Sequence, residues 1–167
     1  MKKGTVYFFT GLSGAGKTTI GERFYNDLRK RKPNVVFLDG DMTRPIFCED
    51  IGYGTEDRLR GGKRNFRIAK MLADQGIDVV CCYICMYTDI RNWNRENIEN
   101  YKEIYIKVTR ETLLKRNKKG LYTTGKNGVG VDIPFDEPQN SDVILFNDGE
   151  KAPEEMVAQL EKELGLD

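Results

Sequence analysis

Short apolar runs alternate with segments of helical period along the whole chain. Val6 to Phe9, Asn34 to Leu38, Ile77 to Ile84, Glu103 to Val108 and Val143 to Phe146 predict five strands of nearly continuous apolar character, the pattern of a parallel sheet covered on both faces. Between them, Lys17 to about Arg31 carries Ile20, Phe24 and Leu28 at i, i+4, i+8, one buried helical stripe. Leu59 to Gln75 sets Phe66, Ala69, Leu72 and Ala73 on one face and meets a stop at Gly76, although Gly61-Gly62 blurs its start. Asp89 to Asn100 reads as a polar helix, Glu111 to Arg116 begins another, and Pro153 to Leu164 closes the chain as an amphipathic helix. Residues 42–57 show little period. Lys118 to Asn140 is rich in glycine and turn residues and too long for an idle connector, so it reads as a mobile lid loop. Strands and helices in this order predict an α/β fold in which residues 1–167 form one domain, a five-stranded parallel sheet with helices on both faces.

One junction adds chemistry to this pattern. Gly11-Leu12-Ser13-Gly14-Ala15-Gly16-Lys17-Thr18 lies between the first strand and the first helix and satisfies G-x-x-x-x-G-K-[ST] in the context that motif requires. Glycines let the backbone approach phosphate oxygens, the helix N-terminus supplies partial positive charge, Lys17 reaches the outer phosphates and Thr18 would ligate Mg²⁺. A glycine-rich turn that binds nothing would need neither the lysine nor the hydroxyl. The expected architecture is therefore a P-loop nucleoside triphosphate hydrolase-like fold. Asp39 and Asp41 follow the second strand, at the carboxyl edge where such sheets bind ligands.

Composition narrows the classes further. Lys+Arg 27 against Asp+Glu 26 gives a net charge of +1, which argues against nucleic acid or a membrane surface as partner. The chain runs from Met1-Lys2-Lys3-Gly4 into the first strand without an apolar leader core, so a cytoplasmic location is expected. With no histidine, a general base must be a carboxylate, lysine, tyrosine, cysteine or water. Cys82 and Cys85 form C-x-x-C within an apolar run that also holds Cys81; burial is the expected role, since no histidine or second pair completes a zinc site. Arg58, Arg60, Lys63, Arg64 and Arg67 form a basic cluster that either grips an anion or solvates a helix face. A guanine-reading N-K-x-D is missing, because Asn117-Lys118-Lys119-Gly120 lacks the aspartate. A GTP switch and a nucleic-acid-directed ATPase thus fit less well than a small-molecule kinase using ATP and Mg²⁺.

The same residues resemble the adenylylsulfate (APS) kinase family, which phosphorylates the 3′-hydroxyl of adenosine 5′-phosphosulfate. The likeness rests on Gly11 to Thr19, Leu38-Asp39-Gly40-Asp41 with Arg44, Glu56-Asp57-Arg58, Lys70 to Gly76, Lys119-Gly120-Leu121-Tyr122, and Val131-Asp132 with Pro134 and Pro138. It implies that Gly11, Ser13, Gly14, Ala15, Gly16, Lys17, Thr18, Thr19 and Arg116 hold ATP, and that Thr18 and Asp39 face the metal. Lys17, Asp39 and Asp41 would serve catalysis, the base lying between the two aspartates. Asp41, Arg44, Tyr53, Arg58, Gly61, Ile84, Lys119, Gly120 and Leu121 would meet a nucleotide acceptor. The resemblance also implies a homodimer.

The departures fall on the acceptor side. Where the family clamps an adenine between two phenylalanines, this chain has Tyr53 and, in a shorter lid, Gly128-Val129-Gly130. The family's D-G-D-N ends in Met42, E-N-I-R-R becomes Arg60-Gly61-Gly62-Lys63-Arg64, and F-I-S-P becomes Tyr83-Ile84-Cys85-Met86. Losing an aromatic partner removes about 1–3 kcal/mol of base stacking. This pattern is similar to the family branch that phosphorylates cytidine diphosphoramidate in bacterial capsule pathways. An ordinary APS kinase and a non-catalytic nucleotide-binding switch are the alternatives.

Overall fold

Val6–Thr10 forms β1 and is buried along its whole length, because it runs through the middle of the sheet. The structure, a computed structural model, describes residues 1–47, 52–85, 87–117, 120, 122–123, 128–131 and 133–166. Among these, β2 (Val35–Asp39), β3 (Asp78–Cys82), β4 (Tyr101–Lys107) and β5 (Val143–Phe146) join β1 in one five-stranded sheet of order β2-β3-β1-β4-β5. Every pairing is parallel, with Phe9 opposite both Cys82 and Ile104. All carboxyl ends therefore share one edge. The chain leaves β1 toward β2 and later returns from β3 across β1 to β4, so the connections diverge beside β1 and open a crevice at that edge.

Alternation along β1 divides the core. Tyr7 and Phe9 face α1 (Lys17–Arg31) and α6 (Pro153–Leu164), where they meet Phe24 with ring centroids 5.0 and 5.6 Å away. Val6 and Phe8 face α3 (Thr55–Asp74) and α4 (Thr88–Asn97), with Phe8 edge-on to Phe66 at 4.7 Å. Helices on both faces of a parallel sheet meet the expected fold class. No helix of the described residues is long and apolar enough to cross a membrane.

Local differences from the sequence reading cluster near the crevice. Residues 40–47 are not featureless: α2 (Gly40–Thr43) and a 3-10 turn (Arg44–Phe47) follow β2 directly. The Asp39 side chain creates this helix start by accepting from the Asp41 N–H at 2.9 Å. Helix α3 begins at Thr55 rather than Leu59 and runs straight through Gly61-Gly62. Glu56 and Asp57 favour its N-terminus, and a Cβ on Gly62 would come within 2.9 Å of Cys85 Sγ and Ile90 Cδ1. That glycine reports close packing, not a break. β3 ends at Cys82, two residues before the expected Ile84, and the chain turns toward the crevice. Helix α4 ends at Asn97, and β4 starts at Tyr101.

Candidate active site

The loop from Gly11 to Gly16 is held from outside by four side chains. Lys17 Nζ donates to the Leu12 carbonyl at 2.9 Å, the Tyr122 hydroxyl to Ser13 at 2.6 Å, Arg116 to Gly14 at 3.0 Å, and Asn147 Nδ2 to Ala15 at 2.7 Å. Tyr122, Arg116 and Asn147 thus hold the Ser13, Gly14 and Ala15 carbonyls from outside the loop; since a trans peptide directs its N–H opposite its C=O, the Gly14 and Gly16 N–H groups turn the other way, while the Ala15 N–H donates within the loop to the Leu12 carbonyl at 3.1 Å. Gly16 has φ +99°, and a Cβ there would stand 2.5 Å from Asn147 Nδ2. Only glycine fits. Gly11 is fixed by close approach to β4, where a Cβ would sit 2.6 Å from the Ile106 carbonyl. Helix α1 then starts with no side-chain cap and no acidic residue in its first turn, leaving its first amides, including those of Thr18 and Thr19, for an anion. Lys17 is only 8% exposed. An inward-turned amide cradle, an uncapped helix start and a sheltered ammonium fit nucleotide phosphates.

Across the edge, the Thr18 hydroxyl donates to Asp39 Oδ2 at 2.7 Å, while Asp39 Oδ1 caps α2. The cradle and the carboxylates meet, as the sequence predicts. Hydroxyl and carboxylate are hard oxygen donors, and Mg²⁺ characteristically takes one or two protein oxygens together with phosphates and water. The Thr18 hydroxyl and Asp39 carboxylate fit that donor set; among the described residues no group of three or more His, Cys, Asp or Glu could hold a metal by itself.

These groups form one end of a cleft of about 450 Å³. At its other end Tyr53, 57% exposed, carries the Arg44 guanidinium 3.6 Å from its ring centroid. Arg44 also donates to the Gly52 carbonyl. Arg58 lies 6.0 Å from the same ring and donates through Nε to the Tyr53 carbonyl at 3.0 Å. Both expected acceptor arginines therefore converge on Tyr53. Asp41, Gly61 and Ile84 line the same cleft, and Val129 reaches it from the 118–140 segment. The basic cluster divides: Arg58 lines the cleft, whereas Arg60 pairs with Asp57 and Arg64 lies 5.8 Å from the Phe47 ring.

The described parts of the expected lid rest against the P-loop. Tyr122 reaches Ser13, Val129 pairs with Ile133, and a Cβ on Gly130 would come 2.9 Å from Leu12 Cδ2. Gly120 donates to the Asn117 carbonyl at 3.0 Å in the turn that precedes Tyr122. Lys119 and Leu121, expected at the acceptor, lie outside the described residues, as do Cys48, Met86, Lys118, Asp132 and residues 124–127. Cys81, Cys82 and Cys85 are buried free thiols, and burial pushes Cys85 up to about 12.

Sequence reasoning missed Asn147 and the grip of Tyr122, and it gave Arg116 no contact with the loop. It passed over Asn65 and Tyr87 and met Tyr83 only as an acceptor-side departure; all three line the cleft, with Asn65 Oδ1 and both phenol oxygens buried and unpartnered. Burial raises both phenols above their ordinary value, so they stand as neutral hydroxyls. A signal for Asn65 was present: it follows Arg58 by seven residues, two turns along one helix face.

Comparison with known proteins agrees with this geometry. The family profile described as adenylylsulphate kinase matches residues 3–146. Cytidine diphosphoramidate kinase of Campylobacter jejuni is 38% identical over 96% of both chains. A probable adenylyl-sulfate kinase of Aeropyrum pernix is 37% identical over 87% of this chain and 84% of its own. The Mycobacterium tuberculosis APS kinase in complex with AMPPNP and APS superposes with a TM-score of 0.88 at 25% identity, covering 99% of each chain. With the profile spanning most of the sequence and these relatives alike over nearly all of it, the chain belongs to the adenylylsulfate kinase family, ATP- and Mg²⁺-dependent phosphotransferases that act on a hydroxyl group.

Proposed function

We propose that this kinase, working as one domain, phosphorylates the 3′-hydroxyl of a 5′-modified nucleotide, with cytidine diphosphoramidate as its favoured acceptor and capsule modification as its setting. The observation that carries this reading is the acceptor end of the cleft, where Tyr53 is faced by Arg44 at 3.6 Å and Val129 stands in the segment that would otherwise bring an aromatic ring. A tyrosine backed by a cation offers one stacking surface rather than a two-sided adenine clamp. The likeness to the Campylobacter enzyme supports the same acceptor. Adenylyl sulfate is the second reading, favoured by the retained Arg44 and Arg58.

In this reading the residues divide the work along the cleft. Amides of Ser13, Gly14 and Gly16 and of the first turn at Thr18 and Thr19 bind the donor phosphates, while Lys17 swings from the Leu12 carbonyl onto their outer oxygens. Gly11 and Arg116 keep the loop in shape. Thr18 and Asp39 would hold Mg²⁺, which would supply neutralisation of charge on the transferred group. Asp39 orients the acceptor hydroxyl and receives its proton, with Asp41 beside it on the acceptor side. Arg44 and Arg58 bind the acceptor's anionic groups with their planar guanidinium forks. Tyr53, Gly61 and Ile84 shape the pocket, and Lys119, Gly120 and Leu121 close over it.

The test is phosphorus NMR of the product formed from Mg-ATP and cytidine diphosphoramidate. A new phosphate monoester coupled to the 3′ proton is expected, with Asp39→Asn slowing its formation about 100-fold or more. ADP release without that monoester would contradict the proposal.

A further inference from the structure

Three of the buried polar atoms that lack a hydrogen-bond partner, Asn65 Oδ1 and the hydroxyls of Tyr83 and Tyr87, belong to residues lining this one cleft. Buried polar groups are satisfied with few exceptions, so three such atoms on residues lining one cavity call for a partner from outside the chain. Asn65 lies on α3 two turns beyond Arg58, about 10 Å further along the helix at 1.5 Å per residue. Between them Gly61 and Gly62 bring no side chain into the cleft. The cleft lining also holds neutral groups, the Asn65 carboxamide, two phenols and the Cys85 thiol, which burial holds protonated with its value pushed up to about 12. An amide oxygen accepts and does not donate. Its partner must therefore carry a hydrogen, which a sulfate or phosphate oxyanion does not.

We propose that Asn65 is a specificity-determining residue of the acceptor site, its carboxamide oxygen accepting a hydrogen bond from an N–H group of the acceptor nucleotide beside the Tyr83 and Tyr87 hydroxyls. This rests on the acceptor reading above. Two parts of such an acceptor bear N–H: the amide nitrogen of the diphosphoramidate and the exocyclic amine of the base. The spacing of Asn65 from Arg58 along α3 favours the first. With the base at the exposed Tyr53 and the phosphates at the arginines, the terminal group is the part that reaches Asn65.

The experiment compares kcat/KM of wild type and Asn65→Leu, a near-isosteric change to a better helix former, at saturating Mg-ATP. Cytidine diphosphoramidate is set against CDP, which lacks the amide nitrogen, and against uridine diphosphoramidate, which lacks the base amine. Wild type is expected to favour cytidine diphosphoramidate over one of these two comparison compounds by about 10- to 100-fold, the penalty for leaving a buried acceptor unpaired. Asn65→Leu brings that ratio close to one, mainly through KM for the acceptor, and leaves KM for ATP unchanged. The ratio that collapses identifies which N–H is read. An equal loss on every acceptor, or ratios that survive the substitution, would overturn the proposal; Asn65→Ala repeats the comparison should the leucine variant fail to fold. If wild type instead turns over adenylyl sulfate far faster than any cytidine compound, the acceptor reading fails on its own. Asn65→Leu on adenylyl sulfate against its inosine analogue then decides the role of Asn65.

Discussion

At the scale of single residues, the site depends on how firmly the Ser13, Gly14 and Ala15 carbonyls are held from outside the loop. Asn147 fills the space beside Gly16 and bonds Ala15, while Arg116 bridges the Gly14 and Asn147 carbonyls at 3.0 and 2.6 Å. Removing either side chain frees a peptide to rotate and blunts the cradle before any phosphate contact is lost. Asn147→Ala should therefore raise KM for ATP about tenfold with a smaller effect on kcat, read from steady-state kinetics at fixed acceptor. Lys17→Ala acts differently. It deletes a charge that follows the transferred phosphoryl group, and kcat should fall about 10²- to 10³-fold, with overall fold checked by circular dichroism.

At the scale of elements, close packing positions the cradle. Helix α1 lies so near β3 that a Cβ on Gly21 would overlap Cys82 Sγ, whose thiol donates to the Lys17 carbonyl at 3.5 Å. Gly21→Ala must lift the first turn of α1 off the sheet, at about 1–3 kcal/mol for overpacking, a fall in Tm of several degrees by calorimetry together with weaker ATP binding. The P-loop and the Asp39 edge were legible in the sequence because each is carried by a few consecutive residues at a strand end. What grips the P-loop was not, because Tyr122, Arg116 and Asn147 approach it from 102 to 132 residues away. Gly61-Gly62 misled for a related reason. A glycine pair reads locally as a weak helix start, whereas Gly62 marks where α3 packs on Cys85 and Ile90.

At the scale of the whole molecule, the absence of histidine predicts a flat stability profile through the neutral range, where that side chain ordinarily titrates. The shifted groups lie outside it. Hydrogen bonds from Thr112 and Thr109 hold Asp148 below 3.8, and Lys107 and Tyr105 hold Glu137 below 4.5. A depressed carboxylate stabilises the fold above its unfolded value, and that contribution is lost as pH falls through the folded one. Lys32, raised above 10.5 by Asp78, contributes below that value and loses its contribution as pH climbs past the raised one. Calorimetry should find a plateau in Tm from about pH 5 to 8, with decline below about pH 4. A transition near pH 6.5 would contradict this.

The division of the cleft into a P-loop donor end and an altered acceptor end is tested most directly by one ratio: kcat/KM for cytidine diphosphoramidate over kcat/KM for adenylyl sulfate, with Mg-ATP saturating. A cleft with one stacking ring at Tyr53 and a neutral carboxamide acceptor at Asn65 predicts a ratio above one, about tenfold or more. A ratio well below one would contradict that account and return the chain to ordinary adenylyl sulfate phosphorylation.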